Sequence, residues 1–212
     1  MDRNISLTYE IADKLSESDL EKINQMIISI WDYHAWIPKN HVIPMAEFFL
    51  AEVIITSSRI FVVRDHNEIV GVIAASITNN LRQKANAKIK KYRALQKIIL
   101  DKKQHVFESY IDTLILNEKL LLDSQKDFTA SLNLFILDER YQGLGIGSKL
   151  YSIFTEYLID HKIQTFFLFT DNSSNFLFYE RKGLKRIAEE KYSWNDSTES
   201  TELYYLYEGK IE

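Results

Sequence analysis

The sequence feature that most constrains the fold is a strand-to-helix connection that contains three of the chain's six glycines. An apolar run of strand length ends at Leu137, and an amphipathic helical pattern starts near Ile146. The glycines between and just after these points are Gly143, Gly145 and Gly147. Glycine lets the backbone approach a ligand closely, and the first turn of a helix offers free N–H donors. The segment therefore predicts a phosphate-binding loop, with a plain strand-to-helix turn as the alternative.

The glycine spacing excludes two common nucleotide-binding motifs. A dinucleotide fingerprint requires G-x-G-x-x-G directly after a strand. Here the order is G-x-G-x-G, and five residues separate it from the apolar run. A Walker loop requires Gly-Lys followed by Ser or Thr, whereas this chain has Gly147-Ser148-Lys149.

The same loop resembles a motif of the GNAT superfamily of acetyl-CoA-dependent N-acetyltransferases. The order Gln142-x-x-Gly145-x-Gly147 is similar to that family's Q/R-x-x-G-x-G/A pyrophosphate loop. The similarity extends over residues 131–192, which is under a third of the chain.

A second segment in this range resembles the family's N-x-x-A-x-x-x-Y-E-x-x-G-F motif. Asn172 and Tyr179 keep the seven-residue spacing of that motif. The departures are Asn175 in place of the usual Ala and Leu184 in place of the usual Phe. Because the two motifs occur in the family's order, together they favour the family more strongly than either does alone.

The resemblance implies an α/β (α+β) fold with a splayed, mostly antiparallel mixed sheet flanked by helices. The β-α-α-β-β order of patterns in residues 5–77 agrees with the start of that fold. We expect one N-acetyltransferase domain over residues 1–212. Residues 80–127 contain no glycine or proline and have helical periodicity. We interpret them as a two-helix insertion between strands 3 and 4, breaking near residues 100–103.

The insertion contains a strongly basic segment. Residues 82–103 hold nine Lys or Arg against one acid, a net charge of +8, in a chain whose net charge is −4. This excess of positive charge is explained by a solvated helix face that lies opposite Glu108, Asp112 and Glu118. The alternative is a surface that binds an acidic partner or the phosphate of CoA. The apolar run 114–122 favours a homodimer contact as a third option.

The resemblance implies an acetyl-CoA site and assigns residues to it. A backbone N–H near Leu137, where the family's fourth strand bulges, would polarise the thioester. Asn172 would bond the pantetheine arm, with a helix N-cap as the alternative role. Tyr179 would be the general acid, with packing beside neighbouring phenylalanines as the alternative. The expected cofactor-binding residues are Ile136, Leu137, Gln142, Gly143, Leu144, Gly145, Ile146, Gly147, Ser148 and Asn172.

The acceptor is expected to be a small-molecule amine or a peptide amine. The family lines its acceptor pocket with the loop after the first helix, which implies substrate-binding roles for Trp31, Tyr33, His34 and Trp36; ordinary core aromatics are the alternative. Some relatives carry a carboxylate base on the fourth or fifth strand. By our alignment these positions are Ser131 and Phe167, which cannot act as bases, and His34, His41 or a water chain are the remaining candidates.

Composition narrows the function classes. The chain has no cysteine, which excludes thiol catalysis, disulfides and cysteine-ligated zinc and agrees with direct transfer through a ternary complex. We expect no metal, because the histidines show no ligand spacing.

The net charge of the chain gives no support for a nucleic-acid partner. No signal-like start and no long apolar run are present, so we expect a cytoplasmic protein without membrane association. The rival function is a non-catalytic acyl-CoA-binding module.

Overall fold

The computed structural model of the protein describes residues 5–78, 85, 88–89, 92, 105–194 and 201–211. The chain forms two compact units. The first contains Met1–Ile77, Leu132–Gln164 and Ile211, and the second contains Thr78–Ser131, Thr165–Lys210 and Glu212. The expectation of a single catalytic domain over residues 1–212 remains a prediction.

The described helices and strands alternate along the chain in the mixed α/β manner predicted from the sequence. The strands belong to a seven-stranded, mostly antiparallel open sheet flanked by helices, which confirms the predicted fold class. In chain order the elements are β1 (Leu7–Ile11), α1 (Glu17–Ile30), α2 (Tyr33–Trp36), α3 (Val42–Thr56), β2 (Arg59–Asp65), β3 (Glu68–Ile77), α4 (His105–Asp123), β4 (Ala130–Leu137), a short 3₁₀ turn (Glu139–Tyr141), α5 (Ile146–Asp160), β5 (Thr165–Asp171), α6 (Leu177–Arg181), β6 (Lys185–Ser193) and β7 (Thr201–Lys210).

The sheet of the first unit is built from consecutive antiparallel strands. β1 pairs with β2, and β2 pairs with β3 across a hairpin in which His66 adopts a φ of 56°. α1 starts at a capping box: Ser16 Oγ accepts the Asp19 N–H, and the Asp19 carboxylate accepts the Ser16 N–H. Such a box satisfies two donors that the helix itself leaves free.

α5 confirms the amphipathic pattern that follows the glycines. Ile146, Leu150, Phe154 and Leu158 recur at four-residue steps and are buried. Residues at this spacing share one face of a helix, which α5 therefore presents to the core. Because this face is continuous, the helix position is fixed by packing from its first turn onward.

The second unit contains the antiparallel order β5-β7-β6, with a one-residue irregularity in β6 between Arg186 and Ala188. α4 packs here, and its Leu120 and Leu121 lie in a buried cluster with Phe167 and Leu206. Phe167 belongs to β5, whose residues Phe166, Phe167 and Leu168 are all buried, so this strand contributes apolar side chains to both faces of the sheet.

The predicted insertion is described only in part. α4 lies between β3 and β4 in the chain, and Ala85, Ile89 and Tyr92 are helical and buried. The predicted break at residues 100–103 lies outside the described residues, so the two-helix insertion stays a prediction. Of the nine basic residues only Lys88 is described, and its Nζ lies 2.7 Å from Glu118 Oε1, one of the acids predicted to face that segment.

α6 begins several residues after the end of β5. Residues 172–176 precede it, and its first residue is Leu177. Asp171 explains the late start, because its Oδ1 accepts the N–H groups of Ser173 and Ser174 at 2.9 Å. Aspartate commonly holds such turns and thereby competes with the helix.

Candidate active site

The glycine loop has a backbone conformation that only glycine adopts easily. Gly143 has a φ of 76° and Gly145 a φ of 78°, both in the left-handed region. A Cβ built at either position would meet nothing within 4 Å. The two glycines are therefore required by the backbone conformation, because the space beside them is open.

The first turn of α5 presents free donors next to these glycines. The helical hydrogen bonds begin with Lys149 N–H and Gly145 O, at 3.0 Å. The N–H groups of Ile146, Gly147 and Ser148 precede that bond and have no partner within the helix. Together with the positive end of the helix dipole, these groups form a site suited to phosphate.

Gly147 differs from the other two glycines of the loop. A Cβ at this position would lie 3.6 Å from Phe135 Cζ and 3.9 Å from Leu137 Cδ2, which are ordinary contacts. The surrounding protein therefore leaves room for a side chain at Gly147. A bare backbone here is consistent with an approach by something other than the protein, as the pyrophosphate interpretation requires.

The loop is anchored at its entry by a buried tyrosine. Tyr141 is 5% exposed, and its phenol donates a 2.8 Å hydrogen bond to Asp65 Oδ2 at the end of β2. Hydrogen bonds from the Ser6 backbone N–H and then from Tyr141 lower the pKa of the Asp65 carboxyl. The start of the loop is thus attached to the β2–β3 hairpin.

Asp138 follows the last residue of β4 but does not point freely to solvent. Its side chain is 11% exposed and ion-paired. Arg140 Nε lies 2.9 Å from Oδ1 and Nη2 lies 2.6 Å from Oδ2, with Lys22 Nζ 3.5 Å away. These hydrogen bonds and charges lower the pKa of Asp138 to about 2. A carboxylate held ionised in this way is a poor proton acceptor.

A groove of about 290 Å³ lies next to Asp138 in the first unit. The C-terminal half of α1 forms one wall, and the residues that follow β4 form the other. The lining residues are Lys22, Gln25, Met26, Ser29, Ile30, Asp138, Glu139 and Arg140.

β4 contains one residue more than the stretch of β3 that it pairs with. Asp138 N–H donates to Val70 O, and Thr78 N–H donates to Thr129 O, at 2.8 Å each. Between these bonds the chain advances eight residues along β3 and nine along β4, since 78 − 70 = 8 and 138 − 129 = 9. One extra residue in an antiparallel strand is a β-bulge. The extra residue lies between Thr129 and Asp138, and a bulge near Leu137 itself stays a prediction.

Asn172 joins the end of β5 to β7. Its backbone N–H donates to Leu203 O at 3.0 Å, and its Oδ1 accepts the Leu203 N–H at 2.9 Å. The alternative role as helix N-cap is wrong, because α6 has Phe176 at that position and no side-chain cap.

Tyr179 lies in the middle of α6 and is half-buried. Its ring centroid lies 5.7 Å from that of Phe178 and 6.2 Å from that of Tyr207. Its carbonyl accepts the N–H groups of Lys182 and Leu184 beyond the helix. α6 has only five residues, so contacts such as these hold it in place, since so short a helix is unstable by itself.

A polar cluster beside Tyr179 escaped the sequence interpretation. Tyr207 Oη donates to Glu180 Oε1 at 2.8 Å, and Arg186 Nη2 donates to the same oxygen at 2.7 Å. Arg186 Nε lies 3.1 Å from Tyr207 Oη, and its Cζ lies 3.9 Å from the ring centroid of Tyr205. In the sequence, only the Tyr179-Glu180 pair of the second motif points to this cluster. The pair does not indicate that Glu180 has a hydrogen-bond partner in β7.

The aromatic segment after α1 is largely packed against itself. Trp36 Nε1 donates to Trp31 O at 2.9 Å, and the rings of Tyr33 and Trp36 meet edge-to-face at 5.2 Å. Tyr33 is 3% exposed, and burial raises the pKa of its phenol. His34 is exposed. The packing of Tyr33 agrees with the alternative of core aromatics, while the substrate-binding roles of the four residues stay predictions.

No group of three or more His, Cys, Asp or Glu in the described ranges is placed to hold a metal ion. Among the helices of that part of the chain, none is long and apolar enough to cross a membrane.

Comparison with protein families gives a match over most of the chain. The model of the acetyltransferase (GNAT) family matches residues 24–184. No curated protein sequence matches the chain.

Solved structures with the same fold span the whole chain. Arylalkylamine N-acetyltransferase 2 from Aedes aegypti is 16% identical, with 97% of this chain and 99% of that chain covered and a TM-score of 0.68. The ribosomal-protein-S18-alanine N-acetyltransferase from Escherichia coli is 14% identical, with 98% and 95% covered and a TM-score of 0.54. A NatC complex bound to Gag peptide and CoA is 13% identical, with 98% and 100% covered and a TM-score of 0.54. At such identities the likeness concerns the fold.

Proposed function

The chain belongs to the acetyltransferase (GNAT) family and is an acetyl-CoA-dependent acyltransferase, and on this basis we propose that it acetylates a primary amine by direct transfer. Acetyl-CoA supplies the acetyl group as a thioester. The observation that carries the proposal is the loop in which two glycines of positive φ lead into the free N–H groups of α5. The absence of cysteine from the sequence supports transfer without a thiol nucleophile.

The residues from Gln142 to Ser148 hold the pyrophosphate in this proposal. Their contribution comes from backbone N–H groups, which suit an anion whatever the side chains are. The open space at Gly143 and Gly145 and the ordinary contacts at Gly147 fit a ligand that approaches the bare backbone. The exposed Leu144 side chain is compatible with an additional apolar contact.

Ile136, Leu137 and Asn172 orient the thioester arm in this proposal. The extra residue between Thr129 and Asp138 supports a role for the β4 backbone, because bulges interrupt regular pairing and redirect backbone groups, and we propose that the group concerned is near Leu137. A fixed N–H donor aimed at the carbonyl oxygen stabilises the charge that develops during transfer. The Asn172 side chain is positioned for its part by its hydrogen bond with Leu203.

Tyr179 donates the proton that the departing sulfur takes up. Phenols are weaker acids than thiols, so the proton moves only as negative charge builds on the sulfur. Help of this kind is typically worth about 10²- to 10⁴-fold in rate. The anchoring of α6 by the Glu180–Arg186–Tyr207 cluster supports the role, because a general acid must be held within hydrogen-bond reach.

Few residues near the two motifs are candidates for the base that accepts the proton of the amine. Ser131 and Phe167 occupy the positions at which some relatives carry a carboxylate, and Asp138 is held ionised by Arg140. We therefore retain a water chain, His34 or His41 as the route by which the amine loses its proton. The aromatic segment with Trp31, Tyr33 and Trp36 is the proposed wall of the acceptor pocket.

Titration of acetyl-CoA by calorimetry tests the proposal, followed by thiol release from the same sample over a panel of amines. The panel should include small arylalkylamines, amino acids and peptides with a free N-terminus. Binding with release for at least one class is expected. Absence of acetyl-CoA binding, or binding without release from any primary amine, would contradict the proposal.

A further inference from the structure

The segment from Gln142 to Ser148, here called the phosphate loop, gains no rigidity from polar side-chain contacts. Over the residues that the structure describes, no side chain of this loop forms a hydrogen bond or an ion pair. Gly143 and Gly145 lie within it at positive φ, and glycine has more backbone freedom to lose than any other residue. The direction of the free N–H groups therefore depends on how firmly the two ends of the loop are held.

The two ends are held by different interactions. Toward the exit, Ile146 is 2% exposed and starts the buried stripe of α5, so packing fixes its position. Directly before the loop, Tyr141 is 5% exposed, and its phenol donates to Asp65 Oδ2 at 2.8 Å. The entry, unlike the exit, is thus held in part by a hydrogen bond that the removal of one oxygen atom abolishes.

Asp65 is itself fixed, so it can hold the phenol in place. Its other oxygen, Oδ1, accepts the Ser6 backbone N–H at 2.8 Å and lies 2.9 Å from His66 Nδ1. The Asp65 side chain is 11% exposed. A carboxylate that is bonded through both oxygens cannot turn to follow a displaced partner, and bonds to an ionised acceptor are stronger than those between neutral groups.

We propose that Asp65 and Tyr141 are a positioning pair for acetyl-CoA, because their hydrogen bond holds the phosphate loop in its binding conformation before the ligand arrives. The inference rests on the proposed role of Gln142–Ser148 in holding the pyrophosphate. Both residues act through the loop rather than by contact with acetyl-CoA. Without the bond, binding must also order the loop, and a cost of this kind lowers affinity.

Tyr141→Phe tests the pair, because it keeps the buried ring and removes only the hydroxyl. The dissociation constant of acetyl-CoA, measured by calorimetry on the full chain, should rise about tenfold, since a hydrogen bond to a charged group is lost. The KM for acetyl-CoA in thiol-release assays should rise by a similar factor. The kcat at saturating acetyl-CoA should stay within about twofold, because the loss concerns binding and not the transfer step.

A double-mutant cycle shows whether the two residues act through each other. Asp65→Ala removes the acceptor and should also weaken acetyl-CoA binding about tenfold. Asp65→Ala combined with Tyr141→Phe should weaken it no more than about twofold beyond either single variant, because one shared hydrogen bond can be lost only once. Independent effects, whose factors multiply to about a hundredfold in the combined variant, would overturn the positioning pair.

Tyr157→Phe is the matched control. It removes a phenol from the same unit, at a position on α5 eleven residues after Ile146, where Tyr157 Oη lies 3.3 Å from Ser58 Oγ. Its acetyl-CoA affinity should stay within about twofold of wild type. Thermal melting checks that every variant is folded at the assay temperature. Unchanged affinity in folded Tyr141→Phe, or equal losses in Tyr141→Phe and Tyr157→Phe, would overturn the inference.

The same measurements separate this inference from the proposed function. If wild type binds acetyl-CoA and releases thiol with an amine while Tyr141→Phe keeps the wild-type affinity, the positioning pair is wrong and the transferase proposal stands. If acetyl-CoA binding depends on Tyr141 and Asp65 but no primary amine causes thiol release, the transferase proposal is wrong and the pair stands. If wild type does not bind acetyl-CoA, both are wrong.

Discussion

The phenol of Tyr207 donates a 2.8 Å hydrogen bond to the carboxylate of Glu180, the residue that follows Tyr179 in α6. Arg186 binds both groups, at 2.7 Å to Glu180 and 3.1 Å to Tyr207. Burial, followed by the hydrogen bond to Glu180, raises the pKa of Tyr207 to about 12, so the phenol stays protonated and remains a donor. The position of a five-residue helix thus depends on a strand 27 residues further along the chain.

Tyr207→Phe should therefore lower kcat without changing acetyl-CoA affinity. The variant keeps the buried ring and removes only the hydroxyl, so α6 loses one of its anchors and Tyr179 is held less firmly. We expect kcat to fall about three- to tenfold and stability by about 1 kcal/mol. Thiol-release kinetics and calorimetric melting measure both.

Tyr205→Phe is the control for that substitution. It removes a neighbouring hydroxyl for which no described residue is a hydrogen-bond partner, and it keeps the ring on which Arg186 packs. Its kcat should equal that of wild type. A wild-type kcat in Tyr207→Phe, or equal losses in both variants, would show that the hydrogen bond to Glu180 does not position the general acid.

Tyr179→Phe should reduce kcat by about 10²- to 10⁴-fold. The proton donor is lost, while the ring that packs on Phe178 and Tyr207 remains. The dissociation constant of acetyl-CoA, measured by calorimetry, should stay within about twofold because the loop in the first unit is unchanged. A pure packing role for Tyr179 would leave kcat near its wild-type value.

Local chemistry explains which features the sequence could predict. The positive φ of Gly145 and the buried stripe through Leu150 and Phe154 each follow from residue type and spacing over a few positions. The late start of α6 could not be predicted from helix propensity, because the Asp171 side chain competes for the backbone N–H groups first.

The sequence patterns did not predict features that depend on contacts between residues far apart in the chain. The ion pairs of Asp138 involve Lys22, and the anchor of α6 involves Tyr207, at separations that one sequence does not relate. Sequence motifs therefore indicate candidate residues for ligand contact, whereas the residues that position them become visible only in the structure.

Asp138 should make the protein less stable in acid through a defined pH range. Its folded pKa of about 2 lies below the unfolded value of about 3.9, so its contribution is fully present above about pH 5 and is lost as pH falls toward 2. Asp138→Asn removes this contribution. The difference in Tm between wild type and the variant should be largest above about pH 5 and should shrink toward zero near pH 2. Asp160→Asn, at an exposed site without an ion pair in the described ranges, should not show that trend; a constant difference for Asp138→Asn would contradict the ion-pair explanation.

Gly145→Ala should weaken acetyl-CoA binding more than an equally strained substitution elsewhere. Gly183 provides the match, since its φ is 80° against 78° for Gly145, and a Cβ at either position meets nothing within 4 Å. Alanine in the left-handed region costs about 1–2 kcal/mol, so both variants should lose similar stability in thermal melts. Only Gly145→Ala changes the backbone immediately before the free N–H groups of α5, and its acetyl-CoA affinity should fall about tenfold or more. Equal acetyl-CoA affinities in the two variants would mean that the Gly143–Gly147 segment serves only as a turn. Backbone strain from alanine in the left-handed region would then account for the whole change in affinity.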